Sequence, residues 1–542
     1  MTFQTGSPYG DARFARLEEV RRAGLLKPGG VEFGLVNGLP LRHSNRAGIK
    51  ITGGAGCGKS SQVAVPMILG SDQTFVLIDS KGGEITQVIE PHCALNGIPL
   101  YVVDPFGVTG ARSLRVSLLT HLKAGSPTLV PDSQRFWMSV LPDSRGDTPF
   151  FEQAGRRFGD AITRHDVHLN RSTSFQSIFD LISLMRADFE SWSSWAELAK
   201  EKSTPDIVST FGEMKEMYAG SPKTFDSVMG GVSNAWTCMS SPGARDTFVS
   251  DVAADFDLEE LLKPGKKIAT LVISEELMGP MAPVLRTFVS SIRTLKARRP
   301  DAPPITFLID EAARLGRFGE LADLFAIGRG QGTTPVVFYQ ADRQIEENLG
   351  ATGRGVIEAN AALMLDLGGG IRDYETARNR SLALGYQTVQ VADPLIQTRA
   401  ESQASEIVRQ VHLEGTDPIE AGLRLRQLDY ETAHTTKMRK ALMEPDQLLG
   451  LDASKMLVQA RGYHLNPFIA EKQSYYLQRR FAGHYFPNPN EERELDRVSV
   501  VTWLGRRRRR IIEEPCPSFL AHLPQYADGR PLRFVEGFRP KA

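Results

Sequence analysis

The sequence predicts an α/β fold with a mostly parallel central sheet, interrupted by an all-α domain, and three observations carry that expectation. Brief apolar runs at Ile49–Ile51, Phe75–Ile78 and Leu100–Val103 each end in a Gly-rich or Asp-containing turn and are separated by helical lengths. Such runs read as short strands buried on both faces and joined by crossovers. Similar runs resume at Lys267–Ser274, Thr306–Ile309, Pro335–Tyr339 and Ala362–Leu367, after a stretch of helical patterning that contains Phe175, Phe179, Trp192, Trp195 and Phe211. The later strands complete the sheet begun by the earlier ones. The third observation is Gly53-Gly54-Ala55-Gly56-Cys57-Gly58-Lys59-Ser60, a match to G-x-x-x-x-G-K-[ST] set between a short apolar strand and a helical run.

A chain of 542 residues exceeds what one hydrophobic core usually organises. The spacing predicts a lead-in over 1–46, with a short helix in Asp11–Leu25 and a hairpin after the Pro-Gly-Gly break at 28–30. A nucleotide-binding domain then runs over 47–144 and, after the interruption, over 263–486. The all-α unit spans 145–262, and a basic tail with five consecutive arginines, Arg506–Arg510, lies in 487–542. Hydrophobic residues at 41% and charged residues at 24% exclude disorder, a collagen-like repeat or coiled coil as a description of the whole.

Cys57, Cys93, Cys238 and Cys516 lie far apart without metal-ligand spacing, which argues against a disulfide framework or a zinc site. The first ten residues lack a signal-peptide pattern, and nowhere do 18 apolar residues run together. The expectation is a cytoplasmic, reducing location.

The glycines of the P-loop pattern let the backbone curl so that successive N–H groups of Gly53 to Ser61 face phosphate oxygens at the positive end of a helix. Lys59 then reaches the β- and γ-phosphates of ATP, and Ser60 holds Mg²⁺. A second acidic site is needed at the end of a neighbouring strand, and Asp310-Glu311 supplies it: Asp310 for the metal, Glu311 to orient and deprotonate the attacking water. Gln340 ends the next strand and should emerge on the same edge as a sensor of hydrolysis. Arg329, in Gly328-Arg329-Gly330, precedes that strand and faces the opposite edge. From there it either serves as a surface arginine or reaches a neighbour's nucleotide across a ring interface, where such a group is worth roughly 10³ to 10⁵ in rate. Asp79-Ser80-Lys81-Gly82-Gly83-Glu84 is either a plain turn or a link between the nucleotide and the helical unit.

With these residues identified, the chain resembles the coupling proteins of type IV secretion, of the TraG/TraD kind, within the RecA-like group of P-loop motors. The resemblance covers about residues 30 to 486. It rests on Val65-Pro66 after the P-loop, Asp79-Ser80-Lys81-Gly82, Val102-Val103-Asp104-Pro105, and Ile309-Asp310-Glu311 followed after 18 and 29 residues by Arg329 and Gln340. Ser381 to Gly385, Thr388-Val389, and Pro467 before Tyr475-Tyr476 resemble the closing strands. It implies an ATP-driven homo-hexamer that passes relaxase-bound single-stranded DNA, or effector proteins, to channel components of a type IV secretion system. It further implies that the helical unit recognises substrate and that Arg329 acts in trans. Family members commonly begin with two membrane helices, and none precedes the P-loop here. Either a separate membrane-anchoring subunit recruits the motor to the periphery of the inner membrane, or it works as a soluble ATPase.

The total of 64 basic and 64 acidic side chains announces no anionic partner, but the sum hides a division. Residues 145–262 hold 11 Lys/Arg against 19 Asp/Glu, a balance of −8, which leaves +8 elsewhere. The acidic unit suits a basic protein partner. Lys437, Arg439 and Lys440 are candidates for channel-facing loops, and Arg506–Arg510 suits nucleic acid, anionic lipid headgroups or simple solvation. Two rival readings remain at this level: a duplex-DNA translocase of the FtsK or HerA kind, and an adaptor that binds ATP only to assemble.

Overall fold

A computed structural model describes residues 9–143, 150–391, 394–415, 417–432, 436–492 and 494–541. The expected start of the helical unit at residue 145 lies outside them. In chain order the strands are β1 (Val31–Val36), β2 (Leu39–His43), β3 (Gly48–Thr52), β4 (Thr74–Asp79), β5 (Leu100–Val103), β6 (Ile268–Val272), β7 (Ile305–Ile309), β8 (Thr333–Tyr339) and β9 (Ala361–Leu367). These are followed by β10 (Tyr386–Val391), β11 (Thr436–Ala441), β12 (Lys455–Gln459), β13 (Phe468–Glu471), β14 (Arg497–Thr502), β15 (Gly505–Glu514) and β16 (Leu532–Val535).

One sheet of eleven strands runs β2-β1-β13-β12-β9-β3-β8-β7-β4-β6-β5. Every pairing from β9 to β5 is parallel, and β12, β13, β1 and β2 extend that edge antiparallel. The parallel strands are buried along their whole length because both faces are covered. On β4, Val76 and Ile78 join the core shared with the helical unit, while Phe75 and Leu77 join the core on the opposite face with Ile49, Ile51 and Val63. The expected strands all form, and the two halves of the chain complete a single sheet as anticipated.

Between β5 and β6 the chain is helical, from Leu129–Val140 and Phe150–Asn170 through Pro222–Trp236. Trp137, Trp192, Trp236, Phe158 and Phe175 fill its interior. Helix Leu129–Val140, which precedes the expected boundary, packs against both Phe150–Asn170 and the long helix Ala282–Arg298 behind the sheet. The joint is Arg286. Its buried guanidinium donates to the carbonyls of Ser139 and Val140 at the end of helix Leu129–Val140, and at 2.9 Å to the carbonyl of Leu315 in the turn after β7. These are carbonyls that a helix end leaves without partners. Burial pulls Arg286 down to about 10, so it stays charged at neutral pH.

Two further units follow. β10 and β11 form an antiparallel ribbon that carries the helices Pro394–Leu413 and Pro418–Thr432. Lys437, Arg439 and Lys440 therefore lie on a strand rather than in a loop, and the Arg439 guanidinium stacks 3.4 Å from the ring centre of Tyr386. The basic tail is folded: β14, β15 and β16 make a three-stranded antiparallel sheet. Val498, Val500 and Val535 enter the core beneath the main sheet, and Leu520, Tyr526 and Phe534 pack on Ala94. Alternation of valines with polar residues on β14 drives this docking, a short period-2 signal easily masked by the neighbouring charges.

No helix among the described residues is long and apolar enough to cross a membrane. Replacing Arg286 with Met should lower stability by on the order of 3 kcal/mol, because buried carbonyls lose their donor. A shift in the denaturant midpoint measures it, and an unchanged midpoint would show that the joint is not held by this cation.

Candidate nucleotide site

The parallel register decides which residues meet. Thr52 lies opposite Tyr339, Ile309 opposite Val337, and Ile78 opposite Ile309, so β3, β8, β7 and β4 deliver Gly53, Gln340, Asp310 and Asp79 to one edge. The P-loop leaves β3 and curls through Gly56 and Gly58, which have φ of 75° and 80°. It is fixed from outside as well. Gly53 N–H donates to the Tyr339 carbonyl at 2.9 Å and Gly54 N–H to the Gly370 carbonyl at 2.7 Å. Arg372 donates to the Ala55 carbonyl at 3.1 Å, and the Lys472 ammonium to the Cys57 carbonyl. These bonds hold the curl that a phosphate-binding loop requires. Lys59 and Ser60 are buried in the first turn after the loop, and Ser61 is half-buried beside them.

Two side chains converge on Glu311. Lys59 Nζ lies 3.3 Å from Glu311 Oε2, and Gln340 Nε2 donates to both Glu311 oxygens at 3.2 Å. Glu311 holds φ at 73°, a left-handed conformation that costs a non-glycine residue on the order of 1 kcal/mol and so points to a positional demand. Asp310 is buried beside it; Ser80 Oγ donates to its Oδ2 at 3.4 Å, while its Oδ1 has no partner. Burial raises the Asp310 carboxyl above its usual range, opposed by the Lys81 and Lys59 ammoniums. An unpartnered carboxylate oxygen with the Ser60 hydroxyl nearby suits a hard divalent cation such as Mg²⁺.

The Asp79–Glu84 turn belongs to this site. Lys81 Nζ donates to Ser60 Oγ at 2.9 Å, tying the turn to the P-loop helix. The turn is braced from the tail, where Asn490 donates to the Lys81 carbonyl and Asn488 to Glu84 Oε1, both at 3.0 Å. Asp79 receives the N–H and hydroxyl of Thr86, yet burial still pushes it up to about 6.

Gln340 is followed by a buried ionic network. Lys50, wholly buried in β3, lies 2.6 Å from Asp342 Oδ1; Arg380 bonds the same oxygen at 2.9 Å and Asp366 at 2.9 Å. Burial opposes the charge on Asp342, but Arg380 and Lys50 outweigh it and hold the carboxyl below its ordinary range. The network ties β3, β9 and the helices Asp342–Asn360 and Tyr374–Leu384 together behind the site.

Arg329 stands apart from the Glu311 cluster. It is exposed in the last turn of helix Gly319–Gln331, at the amino end of β8, with His43 and Tyr463 in its electrostatic surroundings. Sequence reasoning missed Gly370, Arg372, Lys472, Asn488 and Asn490. Only Gly368-Gly369-Gly370 left a signal, a glycine run after a strand: a Cβ on Gly370 would lie 2.8 Å from Gly53 Cα.

A P-loop at the end of a parallel strand, with an acidic pair and a glutamine on neighbouring strand ends, defines a RecA-like P-loop NTPase fold. The chain belongs to the family of type IV secretory system conjugative DNA transfer proteins, whose model matches residues 14–411. No curated protein sequence matches it. Among solved structures it is similar to the bacterial conjugative coupling protein TrwBdeltaN70 in complex with sulphate, at 16% identity and a TM-score of 0.59, over 86% of this chain and 96% of that one. It is likewise similar to the plasmid coupling protein TrwB in complex with ADP and Mg²⁺, at 16% identity and a TM-score of 0.59, over 87% and 95%. TrwB with a non-hydrolysable ATP analogue aligns at 17% identity and a TM-score of 0.56, over 87% and 96%.

An acid raised on folding contributes stability that is full below its unfolded value of 3.8 and lost as pH rises through about 6. Asp79→Asn should therefore raise stability at neutral pH and flatten its decline across that window, as unfolding midpoints at a series of pH values will test.

Proposed function

We propose that the chain is an ATP-driven motor, acting as a hexameric ring, that couples relaxase-bound single-stranded DNA or protein substrates to a type IV secretion channel. The convergence of Lys59 and Gln340 on Glu311, beside Asp310 and Ser60, carries the reading. Family membership supports conjugative DNA transfer as its setting, and the ADP–Mg²⁺ and ATP-analogue complexes of TrwB support ATP and Mg²⁺ as ligands.

The loop's N–H groups beyond Gly54, up to Ser61, bind the phosphates, and Lys59 carries its charge from Glu311 to the β- and γ-oxygens. Ser60 and Asp310 would hold Mg²⁺, which would supply neutralising charge for the phosphates. Glu311, relieved of Lys59, accepts a proton from the attacking water, while Gln340 orients that water and registers loss of the γ-phosphate. The buried network that starts two residues later, at Asp342, fixes the strand end that bears Gln340. Arg329 serves the neighbouring subunit's nucleotide, since on its own chain it lies at the other edge of the sheet. The acidic helical unit receives basic segments of protein substrates, and Lys437, Arg439 and Lys440 on the ribbon contact DNA phosphates.

Glu311→Gln should retain ATP binding while cutting turnover by roughly 10² or more, the usual worth of a general base; unchanged turnover would sink the enzymatic assignment and favour the adaptor. Mixing Arg329→Ala and Lys59→Ala chains should restore hydrolysis that neither has alone, and absence of rescue at every ratio counts against a shared site. ATPase assays with single-stranded, double-stranded or no DNA, each with size analysis, should show stimulation and a hexamer with single strands. Preference for duplex would favour a translocase.

A further inference from the structure

The hairpin joining β14 and β15 presents an apolar pair at its tip and arginines on its shoulders. Trp503 and Leu504 are 75% and 56% exposed. Thr502 and Gly505 pair across the turn, Thr502 Oγ1 donates to the Gly505 carbonyl at 2.9 Å and accepts from Leu504 N–H at 3.3 Å, and Gly505 takes a positive φ. The tip is thus held rigid with its apolar side chains outward. Behind it, Arg506, Arg508 and Arg510 share one face of β15 with Arg497 and Val501 across the pair, while Arg507 and Arg509 lie on the other. Arg508 pairs with Glu494 at 2.9 Å; Arg506 and Arg507, nearest the tip, make no ion pair among the described residues. The strand base is anchored in the core through Val498 and Val500, and Tyr485 donates to the Ser499 carbonyl at 2.8 Å.

We propose that this hairpin docks on an anionic lipid surface, with Trp503 and Leu504 entering the headgroup layer and Arg506 and Arg507 binding lipid phosphates. An indole and an aliphatic side chain at an apex, with guanidiniums one step behind, match the depth order of an interface: apolar groups innermost, charge at the headgroups. A nucleic-acid reader places aromatic rings along a face where successive bases stack, and Leu504 has no π-face to offer. The inference does not rest on the nucleotide chemistry proposed above.

The test is co-sedimentation of the full chain with vesicles of phosphatidylcholine alone or mixed with phosphatidylglycerol, together with acrylamide quenching of tryptophan fluorescence. Trp137, Trp192 and Trp236 are buried and Trp195 is partly buried, so Trp503, at 75% exposure, gives the largest quenchable signal, and Trp503→Phe isolates its share from that of Trp195. Binding should require phosphatidylglycerol, weaken with salt and protect Trp503 from quencher, and the protection should vanish in Trp503→Phe. Arg506→Glu/Arg507→Glu should weaken binding by about tenfold or more while leaving the thermal midpoint and ATP turnover unchanged. Equal binding to both vesicles, no binding, or binding indifferent to either variant would overturn the proposal. So would protection of Trp503 by oligonucleotides or by self-association without lipid.

Discussion

The alignment of four parallel strand ends is the constraint on which the rest of the structure depends. The P-loop, the acidic pair, Gln340 and the Asp79–Glu84 turn come from segments as distant as β3 and β8, and they meet only because Thr52, Tyr339, Ile309 and Ile78 occupy matching registers. Parallel strands need long crossovers, so the chain between these points must leave and return across a face of the sheet. The helical unit is one such excursion enlarged. Its core is continuous with the sheet's, and Arg286 ties its first helix to the turn that follows the acidic pair.

Buried charge behind the strand ends is held in ion pairs. Lys50, Arg380, Asp342 and Asp366 form a network behind the strand ends that extends outward to Glu358 and Arg354. An isolated ammonium at the position of Lys50 would be too costly in so dry a place, whereas paired with carboxylates it costs little and specifies how the helices after β8 and β9 seat. Asp310 is the contrast. One of its oxygens has no partner, and burial raises its carboxyl against the pull of the Lys81 and Lys59 ammoniums.

The zero net charge resolves into parts with separate surfaces. The core of the acidic helical unit is continuous with one face of the sheet, whereas two local runs of basic residues lie outside it, on the β10–β11 ribbon and on the tail hairpin. The tail also reaches back to the site, since Asn488 and Asn490 hold the turn that bears Lys81. A segment that looked peripheral thereby contributes to the geometry around Ser60.

Sequence alone determined the α/β architecture and the interruption by helices, and singled out Lys59, Ser60, Asp310, Glu311 and Gln340 as candidates that the fold then brings to one strand edge, because local periodicity and motif spacing follow from backbone geometry within a short window. It also placed Arg329 at the edge away from its own P-loop, as parallel topology requires. Tertiary structure alone decided the supports: Gly370, Arg372 and Lys472 on the P-loop, Asn490 on the Lys81 turn, Arg286 at the joint, and the docking of β14 to β16. Most of those contacts join residues more than a hundred positions apart and depend on which faces the sheet leaves uncovered, so local pattern records at most one partner, as in the glycine run at 368–370 and the valines of β14.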